Sequence, residues 1–311
     1  MPPRLALTCC VRGEPELLAA FLAYHRALGV TGGYLFLDRC GAVERRLVEG
    51  TPGFAAIPRD WNGGTTHLEL HQLACMDEAL GRARRDGFDW LLHLDVDEFA
   101  WGGPEAPGGS LVDLLAGVAP EVDAVVLRTL EVVPTTEDLG KPFWEQRLAQ
   151  DGGVVERDLL DPASGEVRPL HKWLGHSLGK SAVRTDRDVQ AASSHRWTRR
   201  QGRRPPAPLP LREERRGSHL HFVAAGPGHW LRKYRALQQE PDRWWTGAPV
   251  PFPKQAWKDA AARMDEAEAA DYFARWVAVA PATLAPYRER GIVREVSWVR
   301  DVLAGIGLAG A

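Results

Sequence analysis

The chain has 311 residues, a formal net charge of −2 and 44% hydrophobic residues. That is enough for one large α/β domain or two small ones, and the balanced charge gives no global attraction to nucleic acid. The N-terminus MPPRLALTCC lacks the apolar stretch and cleavage site of a signal peptide, and no run of about 18 uncharged apolar residues offers a membrane span, so a cytoplasmic chain with at most peripheral membrane contact is expected.

RLALTCCV reads as a short buried strand, with Cys9 and Cys10 as core packing. EPELLAAFLAYHRALGV follows with a helical period at Leu17, Leu18, Phe21, Leu22 and Leu28. Pro15 suits the first turn and Gly29 the end. GGYLFLD is a second strand, which makes Arg4–Asp38 a βαβ unit, and GFAAIPRD a third. HLELHQLACMDEALGRARRDG is a helix ended by Gly87. Its His67, Glu69 and His71 do not form HExxH, because the acid falls one place late, and surface histidines are expected. The cysteines Cys9, Cys10, Cys40 and Cys75 form no CxxC or zinc-ribbon spacing, so free thiols are expected. DWLLHLDVDEF and VDAVVLRTLEVV are further strands.

Strands alternating with helices predict an α/β fold with a doubly wound, mainly parallel sheet. Such sheets bind ligands beyond the carboxyl ends of their strands. Arg196–Gly217 is basic and proline-rich and reads as a surface loop, or as a segment closing over an anionic ligand. From Lys254 onward the pattern is helical, so 1–253 is expected as the α/β ligand-binding domain and 254–311 as a helical extension. Trp230, Trp244 and Trp245 are expected in the core rather than stacked on sugar.

The segment Asp89–Trp101, DWLLHLDVDEFAW, ends an apolar strand in Asp95, Asp97 and Glu98. Close carboxylates repel unless a cation or donors sit between them. In an extended segment Asp95 and Asp97 would project to one side, an oxygen site for Mg²⁺ or Mn²⁺ bridging a bound diphosphate. The competing reading is a solvated acidic turn.

WLLHLDVDEFAW resembles the strand-DxDEF motif of bacterial family-2-like glycosyltransferases, related to the GT92 group. CCVRGEPELLAAFLAYHRALGV resembles that family's opening, with Glu14, Tyr24, His25 and Gly29 in place and Gly13 where an Asn is usual. YLFLDRCGA keeps Asp38, GHSLGKSAVR resembles a later segment, and HLHFVAAGPGHWLRKY resembles a late HY element with Phe222 for Tyr. The resemblance spans Leu5 to Tyr234. It implies a GT-A-like fold, a nucleotide-sugar donor with UDP as first choice, and Mn²⁺ or Mg²⁺.

On that resemblance the metal ligands are Asp97, Asp95 and His221, with His219 as a rival on the same strand face. Asp38 is the candidate for the nucleotide's base or ribose, although a turn-forming Asp is the competing reading. Lys180 and Lys233 are candidates for the diphosphate. An inverting transfer needs a base for the acceptor's proton. Glu131 is that candidate, on the rim beside the DxD strand, with Asp186 and Asp188 as rivals. The acceptor, a glycan, a lipid-linked or another molecule, is not legible. The alternatives are a nucleotidyltransferase, which would release pyrophosphate, and a non-catalytic glycan-binding relative. A haloacid-dehalogenase-like phosphatase is disfavoured, because its DxD should come early and be followed by a DxDxT-type turn.

Overall fold

The structure is a computed structural model. It describes residues 1–62, 67–151, 178–200, 211–241, 243 and 252–308. The beginning of GHSLGKSAVR, the middle of the basic loop (201–210), Trp244 and Trp245 lie outside the described residues.

The first half is parallel. Strands β1 (Leu5–Val11), β2 (Gly32–Leu37), β3 (Phe54–Pro58) and β4 (Trp90–His93) pair in the order 3-2-1-4. Helix α1 (Pro15–Ala27) begins on a proline, whose missing N–H would be unpaired there anyway. It stops where Gly29 takes φ +94°, which an L side chain resists. Helix α2 (Ala42–Glu49) was not anticipated. It is short and mostly polar, and only its Glu44 and Val48 are buried, so it offers no long apolar period. Helix α3 (Leu68–Arg85) ends at Asp86–Gly87, as the sequence predicts.

The alternation of β1 explains the two helical layers. Leu5, Leu7, Cys9 and Val11 enter the core shared with α1, whereas Ala6 enters the core shared with α3. Helices therefore cover both faces, as a doubly wound fold requires.

Past β4 the sheet becomes mixed. Beyond it come β5 (Glu98–Trp101), α4 (Leu111–Ala116), β6 (Ala124–Val132), β7 (Leu148–Asp151) and β8 (Lys180–Arg184). β8 lies antiparallel between β4 and the first half of β6, and β7 pairs antiparallel with the end of β6. Strands β9 (Val189–Ser193) and β10 (Arg196–Arg199) form a separate hairpin. β11 (Glu213–His221) runs parallel to β6 and antiparallel to β5.

The stretch Arg196–Gly217 is therefore not one loop, since both its ends are strand. Trp197 is 3% exposed, and Arg199 reaches Asp123 at 3.1 Å. Buried aromatic surface and ion pairing outweigh the polar composition there.

The last part is helical, with α5 (Pro227–Ala236), α6 (Phe252–Ala261), α7 (Glu266–Tyr272), α8 (Pro281–Glu289) and α9 (Trp298–Gly305). Trp230, Tyr234, Trp257 and Phe273 pack in its core. β12 (Val293–Glu295) then returns to the main sheet by pairing antiparallel with β7. No helix among the described residues is long and apolar enough to cross a membrane.

Candidate active site at the carboxyl rim of the sheet

β4 ends at His93, and the next residues do not continue it. The Glu98 N–H donates to the Asp95 carbonyl at 3.0 Å, closing a tight turn. This corrects the expectation that Asp95 and Asp97 project to one side, because the two-residue period holds only in extended chain. The turn sends the carboxylates to different partners.

Asp95 and Glu98 share one cation. Lys180 Nζ lies 2.8 Å from Asp95 Oδ2 and 3.1 Å from Glu98 Oε2. Gln72 of α3 donates to the other Asp95 oxygen at 2.9 Å. Glu98 also accepts from the Asp95 N–H at 2.9 Å, so it braces the turn. Burial disfavours a charged Glu98, yet Lys180 and His219 hold its carboxyl well below the usual range. Burial likewise works against a charged Lys180, but the two carboxylates push its pKa above the ordinary value. The Lys180 side chain is 0% exposed. It pairs with both carboxylates of the turn and presents no exposed surface to a diphosphate in this arrangement.

Asp97 has a separate set. Lys233 Nζ donates to its Oδ2 at 2.6 Å. His221 Nε2 lies 3.6 Å and His229 Nε2 3.8 Å from the same oxygen. Burial raises the Asp97 carboxyl, and Lys233, then His221 and His229, more than reverse this and hold it far below the usual range. His229 and Lys233 stand four apart on α5 and so share a helix face. That spacing is the signal by which His229, missed in the sequence, could have been found.

His221 is held from both strands that flank β11, where its register partners are Glu131 on β6 and Glu98 on β5. Its Nδ1 lies 3.1 and 2.9 Å from the two Glu131 oxygens. A carboxylate only accepts, so Nδ1 carries the hydrogen. Burial lowers the basicity of the ring, but Glu131 and Asp97 raise its pKa to about 10. His219 turns to Glu98 instead, at 3.5 Å.

Glu131 is 0% exposed. The sheet also sets β8 between β4 and β6, so Glu131 is not on the strand next to β4. It meets the site through His221. Asp186 and Asp188 do not reach the rim. They follow β8, which runs antiparallel to β4 with Arg184 opposite Trp90 at the start of β4. Both are well exposed there, beside Arg187 and Arg200.

Asp38 stands at the end of β2. Arg12 Nε lies 2.6 Å from one of its oxygens, and the Trp61 N–H donates to the other at 2.9 Å. Gly13 takes φ +52°. Apart from Gly, Asn is the side chain that best tolerates this region, so the Gly that stands where the resembled pattern has Asn keeps this backbone conformation accessible. Glu14 receives two bonds from Arg232, at 2.9 and 2.7 Å. His25 ties α1 to β5. Its Nδ1 bonds the Phe21 carbonyl at 2.8 Å, and its Nε2 accepts from the Ala100 N–H at 3.2 Å.

A divalent ion of the Mn²⁺ or Mg²⁺ class fits Asp97 and His221. Asp97 Oδ2 is a hard oxygen, and His221, with its hydrogen directed at Glu131, has Nε2 as the ligating atom once the ring is neutral. His229 does not fit as a ligand. Its Nδ1 accepts from the Ala225 N–H at 3.2 Å, which leaves the hydrogen on Nε2, the atom facing Asp97. Asp95 is occupied by Lys180 and Gln72. Two protein ligands suit an ion that keeps water and phosphate oxygens in its shell.

No family model matches the chain. The chain is similar to two glycosyltransferase-like proteins of Arabidopsis thaliana. One is 27% identical over 233 residues, 63% of this chain and 49% of the relative. The other is 24% identical over 230 residues, 63% of this chain and 43% of the relative. The matched region is thus about half the length of these curated relatives or less. Among solved structures, the mannose-1-phosphate geranyltransferase of Thermus thermophilus gives a TM-score of 0.32 at 17% identity, over 60% of this chain and 58% of that one. A UDP-glucose pyrophosphorylase complexed with UDP-glucose gives 0.28 at 10% identity, over 59% and 77%. Scores this low leave the chemistry to be read from the site.

Proposed function

We propose that the chain is a glycosyltransferase that moves a sugar from a nucleoside diphosphate sugar, with UDP the first candidate base, to a hydroxyl acceptor with inversion. The observation that carries this reading is the nearly buried Asp97 carboxylate at the carboxyl rim, facing Lys233 at 2.6 Å and the Glu131-held His221 at 3.6 Å. The two glycosyltransferase-like relatives support the same class of reaction.

Transfer breaks the anomeric C–O bond, and negative charge builds on the departing diphosphate. Interactions that strengthen as this charge develops lower the barrier. Lys233 brings a point charge to this position; Asp97 holds its ammonium in the free protein, and an ion taking that oxygen would release it toward the diphosphate. Asp97 and His221 would hold the divalent ion, which when bound supplies Lewis-acid stabilisation of the leaving diphosphate. Glu131 fixes the direction and tautomer of His221, so its part in the reaction runs through that ring. Asp38, through Arg12 and the Trp61 backbone, shapes the end of β2 where the nucleoside would lie.

The test is a panel of nucleoside diphosphate sugars with Mn²⁺, scored for the released product. Release of nucleoside diphosphate, lost in Asp97→Asn, supports the proposal. Release of pyrophosphate from a nucleoside triphosphate and a sugar phosphate would make the chain a nucleotidyltransferase. Donor binding without turnover across a broad acceptor set would make it a binding relative.

A further inference from the structure

We propose that Cys10, His71 and Cys75 form a second metal site, of the soft kind that takes a zinc-class cation, pinning the start of α3 to the end of β1. The two sulfurs and one ring nitrogen of His71 lie within 4.8 Å of one another, and no other group of three such ligands stands this close among the described residues. The sequence separates these residues, and its cysteine spacing gives no sign of a metal site. The fold joins them. Cys9 points into the core on the α1 side of β1, and Cys10 packs on the side of α3. His71 and Cys75 are four apart on α3 and therefore present one face to Cys10.

His71 is thus not the surface histidine expected from HLELH. It is 9% exposed, and its Nε2 is buried with no hydrogen-bond partner. A buried ring nitrogen without a partner is costly, and beside two thiols it is a ligand in waiting. Both cysteines are free, so neither sulfur is consumed by a disulfide.

The donor set decides the class of ion. Two sulfurs and an imidazole suit zinc and its spectroscopic substitute Co²⁺, whereas Mn²⁺ and Mg²⁺ prefer oxygen. A tetrahedral zinc with these ligands needs donor separations of roughly 3.3–3.8 Å, so a contraction of about an ångström, within reach of side-chain rotation, would close the site. Three protein ligands would leave the fourth position of a tetrahedral ion to water. Gln72, next to His71, donates to Asp95 at 2.9 Å, so filling this site would also steady the turn after β4.

The experiment uses the full chain, reduced and stripped with a chelator, and titrated with Co²⁺ alone. About one equivalent should bind with a thiolate-to-cobalt charge-transfer band and visible bands of tetrahedral intensity, and Zn²⁺ should displace it. Cys10→Ser and His71→Gln should each weaken binding by at least about tenfold, in line with the cost of disturbing a metal's surroundings. Asp97→Asn should leave the bands unchanged, which separates this site from the Asp97–His221 pair. Circular dichroism of Cys10→Ser and His71→Gln checks that they fold, and the partly buried Cys10 makes its variant the mildest. Absence of a thiolate band in the reduced protein overturns the proposal. So does a band that survives both variants, or a protein isolated with Cys10 and Cys75 joined that takes up no Co²⁺ after reduction.

Discussion

Nδ1 of His221 on β11 lies 2.9 Å from Oε2 of Glu131 on β6, and the two are direct partners in the parallel register. A wholly buried carboxylate is thereby spent on one ring. Such carboxylate–imidazole pairs fix the tautomer and raise the ring's strength as a ligand. Glu131→Gln keeps shape and can still accept from Nδ1, but lacks the charge. It should weaken Mn²⁺-dependent nucleotide binding by about 10–100-fold, measured by calorimetry. Normal binding with turnover lowered about 10²–10⁴-fold would instead make Glu131 the acceptor's base.

Lys180 is the cation that lets Asp95 and Glu98 lie in one turn. Lys180→Met removes the charge while keeping much of the volume, and leaves two carboxylates facing each other. Breaking a buried pair in this way is expected to destabilise the fold by about 3–5 kcal/mol, read from the urea midpoint at unchanged slope. A loss below about 1 kcal/mol would mean that the turn is wet enough for water to replace the ammonium.

The histidines give the chelator-treated chain two opposite pH limbs. His25, His93 and His229 are lowered by burial to about 3, 4 and 3. Each contributes stability that is present above the ordinary histidine value near 6.5 and lost as pH falls towards 4. His221 is raised to about 10, so its contribution is full below about 6.5 and is lost as pH rises through 10. It is faced by Glu131 from β6, by Asp97 in the turn, by Glu98 from β5, and by Lys233 and His229 from α5. The expected stability profile is a dome. His221→Gln should flatten the alkaline limb, worth on the order of a few kcal/mol, and leave the acid limb in place. An unchanged alkaline limb would show that the ring is neutral in the free protein.

The parallel half of the fold was legible because each strand there is a short apolar run and each helix but α2 is long and periodic. The rim position of the carboxylates followed from the same pattern. What hid the site's geometry was local. DVDEF reads as extended chain, and only the hydrogen bond from the Glu98 N–H to the Asp95 carbonyl reveals a turn. The cations were less legible still. Lys180 opens β8, and nothing in LGKSAVR tells that this strand inserts beside β4 and brings the lysine to Asp95 and Glu98. The proximity of Cys10 to Cys75 depends on which face of β1 meets α3, a tertiary fact that no spacing encodes.

Lys233 gives the sharpest separation of charge from structure at Asp97. Its ammonium sits 2.6 Å from the same Oδ2 that the divalent ion would take, so in the free protein lysine and metal compete for one oxygen. Lys233→Met should therefore bind Mn²⁺ more tightly than the parent when no nucleotide is present, by roughly tenfold, a modest share of a close charge interaction at the rim. With the donor present the order should reverse. The lysine released from Asp97 would meet the diphosphate, and without it both donor affinity and turnover should fall. The paired measurement is Mn²⁺ affinity by electron paramagnetic resonance, with and without nucleoside diphosphate. If the variant binds Mn²⁺ more weakly in the free protein, Lys233 is organising Asp97 for the metal rather than competing with it. If both affinities match the parent, the metal sits away from Asp97 and the ligand assignment fails.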